Sequence, residues 1–295
     1  MTMKMKKKII IFAIIAATLV TGAAFGYAAT HVRMRDLFFR EKFVQLKDEE
    51  RRMRAITISS STGLVAPSTP ASAVTAHILV YHSILPYYPS ETKKQRDYDV
   101  EPETFQKQIR WMKDNGYHIV SFDALVARIR GGAALPDRPV VITLDDAWEN
   151  QYEYAFPILK QEGVTATFFV FSNAIGHKHF FSWVELAELA AAGMTIGGHS
   201  KSHPFLFKIH DAAALDEEVS TSKNILEKHL GKPITIFAYP FGRYTDENIA
   251  AVKRAGYLAA RGLIAGSAHT PDDLLHLKSF QITNDFTMFK RILKK

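Results

Sequence analysis

From Ala76 to Ala260 short apolar runs alternate with longer amphipathic stretches, and this alternation fixes the fold class before any single side chain is interpreted. A run such as Val140-Val141-Ile142-Thr143-Leu144 is almost wholly apolar, so it has to be covered on both sides. That is the condition of a strand in a parallel sheet flanked by helices. Strands are predicted at 77–81, 118–121, 140–144, 166–171, 195–198, 234–239 and 256–260. Helices are predicted between them at 103–115, 122–130, 151–162, 183–192, 212–230 and 246–254. Gly116, Gly163, Gly193, Gly231 and Gly256 stand where helices should stop, as a left-handed cap requires. Seven strands with crossover helices predict an α/β domain of incomplete or distorted (β/α)7-type barrel form.

The amino-terminal quarter has a different composition. Of the 37 Lys/Arg and 30 Asp/Glu, 12 and 5 lie in the first 55 residues, so the remaining 25 of each balance and the net charge of +7 belongs to this region. A neutral domain suits an uncharged polymer and argues against a nucleic-acid partner. Lys4, Lys6, Lys7 and Lys8 precede an uncharged stretch from Ile9 to Thr30, which as a helix would measure roughly 30 Å, the thickness of a bilayer core. Residues 1–30 are read as a signal anchor, with a cleavable signal peptide as the alternative because the stretch ends in small residues. Residues 31–75 are read as a juxtamembrane helix followed by a Ser/Thr/Pro-rich linker, and the folded domain as 76–295. Its expected location is extracytoplasmic, tethered to the membrane or secreted. Nothing in the sequence specifies an oligomer.

Three segments carry chemistry. The apolar strand at 140–144 runs straight into Asp145-Asp146, and two adjacent carboxylates at a strand end repel each other unless a cation or proton compensates them. A second predicted strand runs into His199-Ser200-Lys201-Ser202-His203, where two imidazoles four residues apart on a helical turn would face one ion. With no cysteine in the chain, any metal must be held by His, Asp or Glu. Asp146, His199 and His203 are the expected three ligands, leaving a position open for water. The third segment is Phe237-Ala238-Tyr239-Pro240-Phe241-Gly242, a strand entering a turn, whose Phe241 amide is a candidate oxyanion donor.

Together these motifs resemble the polysaccharide deacetylases of carbohydrate esterase family 4, the NodB homology domain. Thr143-Leu144-Asp145-Asp146-Ala147 is similar to the family's TFDDG, His199 to His203 to its HSxxH-type metal motif, and Ala238-Tyr239-Pro240-Phe241 to its RxPY. The resemblance implies that Asp145 is the general base and that Asp146, His199 and His203 bind a divalent metal, zinc in the first instance with cobalt, nickel or manganese as alternatives. It further implies an N-acetylglucosamine polymer as substrate, loss of N-acetyl groups as the reaction, and Phe241 in the oxyanion hole. Tyr239, Pro240 and Trp148 are the expected substrate-binding residues.

Two departures stand out: Ala147 replaces the family's glycine, and Ala238 replaces the arginine that orients the base. The general-acid histidine also has two candidates. His276 follows Leu274-Leu275, whereas His82 ends the apolar strand Ile78-Leu79-Val80-Tyr81 and looks like the front histidine of the poly-N-acetylglucosamine deacetylase branch; His82 is preferred. The alternative to an active deacetylase is a catalytically impaired carbohydrate-binding protein. Adjacent aspartates do not suit a glycoside hydrolase, whose two carboxylates must straddle the bond.

Overall fold

The computed structural model describes residues 73–87 and 98–294. The strands are β1 (Val74–Thr75), β2 (His77–Tyr81), β3 (Ser83–Ile84), β4 (Asp99–Val100), β5 (His118–Ile119), β6 (Pro139–Asp145), β7 (Thr167–Val170), β8 (Thr195–Gly198), β9 (Ile236–Ala238), β10 (Ala259–Arg261), β11 (Ala268–His269) and β12 (Phe280–Gln281). The main sheet has the order β10-β9-β8-β7-β6-β2-β12, with β5 beside β6. Every pairing in it is parallel. All of its strands therefore end at one rim, and the register sets Tyr81 opposite Leu144, Asp145 opposite Phe169, and Ala238 opposite Arg261.

This is the expected α/β architecture, as a curled half-barrel rather than seven full strands. Strand β5 is only two residues long and pairs with the start of β6 (Pro139, Val140), while β7 pairs with the end of the same strand (Thr143 to Asp145). Strand β9 is shorter than predicted, and β10 starts later than predicted and extends to Arg261. An irregular segment links the two edges of the sheet. Ala260 N–H donates to Leu274 O at 2.7 Å and Leu277 N–H to Ala260 O at 2.8 Å, after which β12 pairs with Leu79 and Val80. This segment and the final helix Phe286–Leu293 follow the last element predicted from the sequence.

Two predicted helices contain π turns, at Gln151–Ala155 ahead of Phe156–Glu162 and at Glu217–Thr221 between Ala212–Asp216 and Ser222–Leu230. The five glycines proposed as helix stops all adopt positive φ. Gly197 and Gly198 are needed for space. A Cβ on Gly197 would lie 2.5 Å from the Phe169 ring, and one on Gly198 would lie 2.3 Å from the Tyr257 hydroxyl, so β8 carries no side chains where these two rings pack. The proposed anchor, juxtamembrane helix and linker fall outside the described residues apart from the linker's last few. Among the described residues no helix is long and apolar enough to cross a membrane.

His77, at the start of β2, and His269, on β11, lie at the opposite end of the sheet from the rim. Both are buried, and burial lowers both imidazole pKa values; the charges of His269 and Arg138 lower that of His77 further, while for His269 burial outweighs the opposing effects of the Ala76 carbonyl and Asp273. In the unfolded chain they protonate at the ordinary histidine value, so their contribution to stability is complete above about pH 6.5 and is lost as the pH falls below it. The melting temperature should fall between about pH 7.5 and 5.5. The fall should be smaller in His269→Gln, and an unchanged fall in that variant would refute the assignment.

Candidate active site

The site is assembled from the ends of five strands. Asp145 is the last residue of β6 and is 2% exposed. The next two residues turn back with φ of 78° at Asp146 and 61° at Ala147, both in the left-handed region. Glycine would reach this region without strain; Ala147 reaches it at a cost, so the turn must be held by its surroundings. Phe181 N–H donates to Ala147 O at 3.0 Å, and Glu149 N–H to His179 O at 3.0 Å.

His199 follows β8 and His203 follows it in an irregular loop. Sequence spacing suggested a helical turn here, and the structure overturns this: Ser200 and His203 have φ of 67° and 58°, and the segment forms no helix. The loop is held by hydrogen bonds instead. Glu218, on the Glu217–Thr221 π turn, accepts from the amides of Lys201 and Ser202 at 3.0 and 2.9 Å and from the Ser202 hydroxyl at 2.6 Å. The Ser200 hydroxyl accepts from His203 N–H at 2.9 Å, and the Ser222 hydroxyl donates to Ser200 O at 2.8 Å.

This frame brings the three predicted ligands together. Oδ1 of Asp146 lies 3.4 Å from His199 Nε2 and 3.2 Å from His203 Nε2. One ligand atom from each residue lies within 4.8 Å of the others. The donor set fits a small divalent cation, and His199 provides the test. Its Nδ1 is 2.6 Å from the Ala238 carbonyl, which can only accept, so Nδ1 carries the proton and Nε2 presents its lone pair to the site. For Asp146 burial alone would raise the carboxyl pKa, but the imidazoles of His199 and His203 beside it outweigh burial and hold the group well below its ordinary value.

Asp145 is paired with a residue that sequence reasoning missed. Arg261, fully buried at the end of β10, makes an ion pair with the Asp145 carboxylate and lies over the Phe169 ring. Burial by itself would raise the Asp145 pKa; the Arg261 guanidinium, with His199 and His82, lowers it overall. Arg261 faces Ala238 directly in the sheet register, so the arginine absent from β9 is supplied by the neighbouring strand. The available signal was a lone arginine ending the apolar run Leu258-Ala259-Ala260. Gln151 was also missed: its side-chain amide donates to the carbonyls of both His82 and Asp145, tying β2 to β6 at the rim.

His82 is 2% exposed, edge-on to Tyr98, and near enough to contribute to the electrostatics of both aspartates. His276 instead faces Asp273 on its own segment at 3.5 Å. Pro240 opens a short turn, Pro240–Gly242, in which Phe241 has φ 60°; the Phe241 ring packs on His203 at 4.6 Å and on Phe205 at 4.1 Å. Tyr239 does not present its side chain to a ligand. It is fully buried and its hydroxyl donates to Leu275 O at 2.9 Å, because the strand's alternation turns it into the core. Trp148 is 5% exposed, with its indole N–H on Oδ2 of Asp146 at 3.1 Å.

Residues 132–260 match the family described as polysaccharide deacetylase, and this stretch contains Asp145, Asp146, His199, His203 and the 237–242 turn. Over this stretch the chain is similar to polysaccharide deacetylases. The chain is 31% identical over 180 residues to the Bacillus subtilis (strain 168) protein YxkH, covering 61% of each chain. It is 29% identical over 183 residues to the poly-beta-1,6-N-acetyl-D-glucosamine N-deacetylase of Staphylococcus aureus (strain MRSA252), covering 58% of this chain and 63% of that one. The match thus spans about three fifths of the length of either relative. Among solved structures, Streptococcus pyogenes deacetylase PplD in complex with acetate superimposes with a TM-score of 0.70 at 27% identity, over 76% of this chain and 98% of that chain.

Removing one partner of a buried ion pair strands the other charge, at about 3–5 kcal/mol. Arg261→Met should destabilise the folded domain by that order in chemical denaturation. Asp145→Asn combined with it should recover part of the loss. Failure of the double variant to recover any stability would mean that the two side chains are not coupled. Zinc or cobalt should raise the melting temperature of the wild-type chain, and this rise should vanish in His199→Ala.

Proposed function

We propose that this protein is a metal-dependent hydrolase that removes N-acetyl groups from an N-acetylglucosamine-containing cell-surface polysaccharide. The observation that carries the reading is the placement of Asp145, ionised by Arg261, beside the Asp146, His199 and His203 triangle. A base must be deprotonated to work, and the buried arginine keeps a buried carboxylate in that form. A divalent cation at the triangle, zinc or alternatively cobalt, nickel or manganese, would supply Lewis acidity for attack of water on the acetamide carbonyl.

In this reading Asp145 takes a proton from the attacking water, and the Phe241 amide donates to the oxygen that gains charge. His82 protonates the departing amine as the amide C–N bond breaks, giving acetate and a free glucosamine unit. His82 is preferred to His276 because its charge is felt at both aspartates, while His276 is turned to Asp273. Support for a poly-β-1,6-linked substrate comes from the name of the Staphylococcus aureus relative. An anchor at 1–30 would hold the domain outside the cell, where such polymers are found.

The test is acetate release by the full chain from poly-β-1,6-N-acetylglucosamine oligomers and from peptidoglycan, with zinc or cobalt added. Asp145→Asn should reduce turnover by about 10²-fold or more, the usual contribution of a general base. His199→Ala should abolish the metal requirement together with the activity. Metal binding without acetate from either polymer would favour the carbohydrate-binding alternative, for which the strained Ala147 is the one supporting feature. Shortened sugars in place of acetate would overturn the reading.

A further inference from the structure

The two oxygens of Asp146 have different surroundings. Both histidine Nε2 atoms face Oδ1, whereas Oδ2 accepts the indole N–H of Trp148 at 3.1 Å. We propose that Trp148 is a positioning residue of the metal centre, which locks Asp146 so that it offers a single oxygen to the cation. This rests on the metal-centre reading above and extends it. It gives Trp148 a role other than the substrate-binding one expected from the sequence.

The tryptophan is itself firmly held. The left-handed residues Asp146 and Ala147 fold the chain back so that the ring at 148 reaches the carboxylate at 146. Its indole stacks on Phe180 at 4.6 Å with an interplanar angle of 21°, and the backbone on either side is bonded to residues 179 and 181. Phe180 in turn meets Phe171 edge-on at 5.3 Å, and the Phe171 ring lies 5.4 Å from His203. Trp148, Phe180 and Phe171 thus form a packed arc that runs from one candidate ligand to another.

The chemical consequence concerns coordination number. A carboxylate free to rotate can offer both oxygens to one ion, and the second would take a position that a catalytic centre keeps open for water and substrate. A neutral donor on Oδ2 prevents this without cancelling the charge on Oδ1. Partners of this kind are worth about 10–100-fold in metal affinity or activity.

The experiment uses the full chain, wild type and Trp148→Phe, titrated with cobalt in competition with a chelator, with the visible spectrum recorded at saturation. Phenylalanine keeps an aromatic ring against Phe180 and removes only the N–H donor. Cobalt affinity should fall about tenfold. The visible bands should weaken as the coordination number rises, while the melting temperature in excess chelator stays that of wild type. Wild-type affinity and spectrum in Trp148→Phe, with only the KM for polymer raised, would overturn the proposal and make the ring a sugar platform. Should Trp148→Phe not fold, Phe180→Leu, which loosens the stack and keeps the N–H, must weaken cobalt binding, and unchanged binding would overturn the proposal. A wild-type chain that binds no cobalt or zinc would instead refute the metal-centre reading itself.

Discussion

Two carboxylates buried side by side at the end of one strand are the constraint that organises this domain. Asp145 and Asp146 are 2% and 5% exposed, and adjacent like charges do not enter a protein interior without compensation. The fold divides the compensation between two partners. Arg261 neutralises Asp145, and the imidazoles of His199 and His203 face Asp146. The consequence is that neighbouring residues of one motif have separate electrostatic environments, one suited to a base and one to a metal ligand.

The backbone pays for this arrangement in torsional strain. Of the seven described non-glycine residues with positive φ, five lie at the site: Asp146, Ala147, Ser200, His203 and Phe241. Such residues cost on the order of 1–3 kcal/mol each where they are strained, and they persist only when their surroundings over-determine them. The surroundings are identifiable: the 147–149 segment bonded to 179–181, Glu218 and Ser222 gripping the 199–203 loop, and Gln151 joining the ends of β2 and β6. The π turn at Glu217–Thr221 belongs to the same frame, since it carries Glu218.

The relation of Ala238 to Arg261 shows why a motif departure need not remove the ion pair to the carboxylate. Adjacent parallel strands bring residues far apart in sequence to the same height. A guanidinium on β10 therefore reaches the same carboxylate that one on β9 would have served. The Ala238 position keeps a separate role through its carbonyl, which orients His199.

The sequence by itself determined the elements whose signals are local. Periodicity located β2 and β8 to the residue and nearly all the helices, glycines marked the helix ends, and the motifs singled out Asp146, His199 and His203, which the fold brings together. Only the tertiary structure decided what depends on contact between distant segments. It set the ion-pair partner of Asp145 on β10, curled the sheet and linked its edges through an irregular segment with no periodicity to read. It also gave the 199–203 loop an irregular path where spacing suggested a helix, and turned Tyr239 inward and the Trp148 indole onto Asp146. The physical reason is the same in each case: spacing records how side chains repeat along one element, whereas compensation of a buried charge depends on which side chains the sheet brings to the same rim.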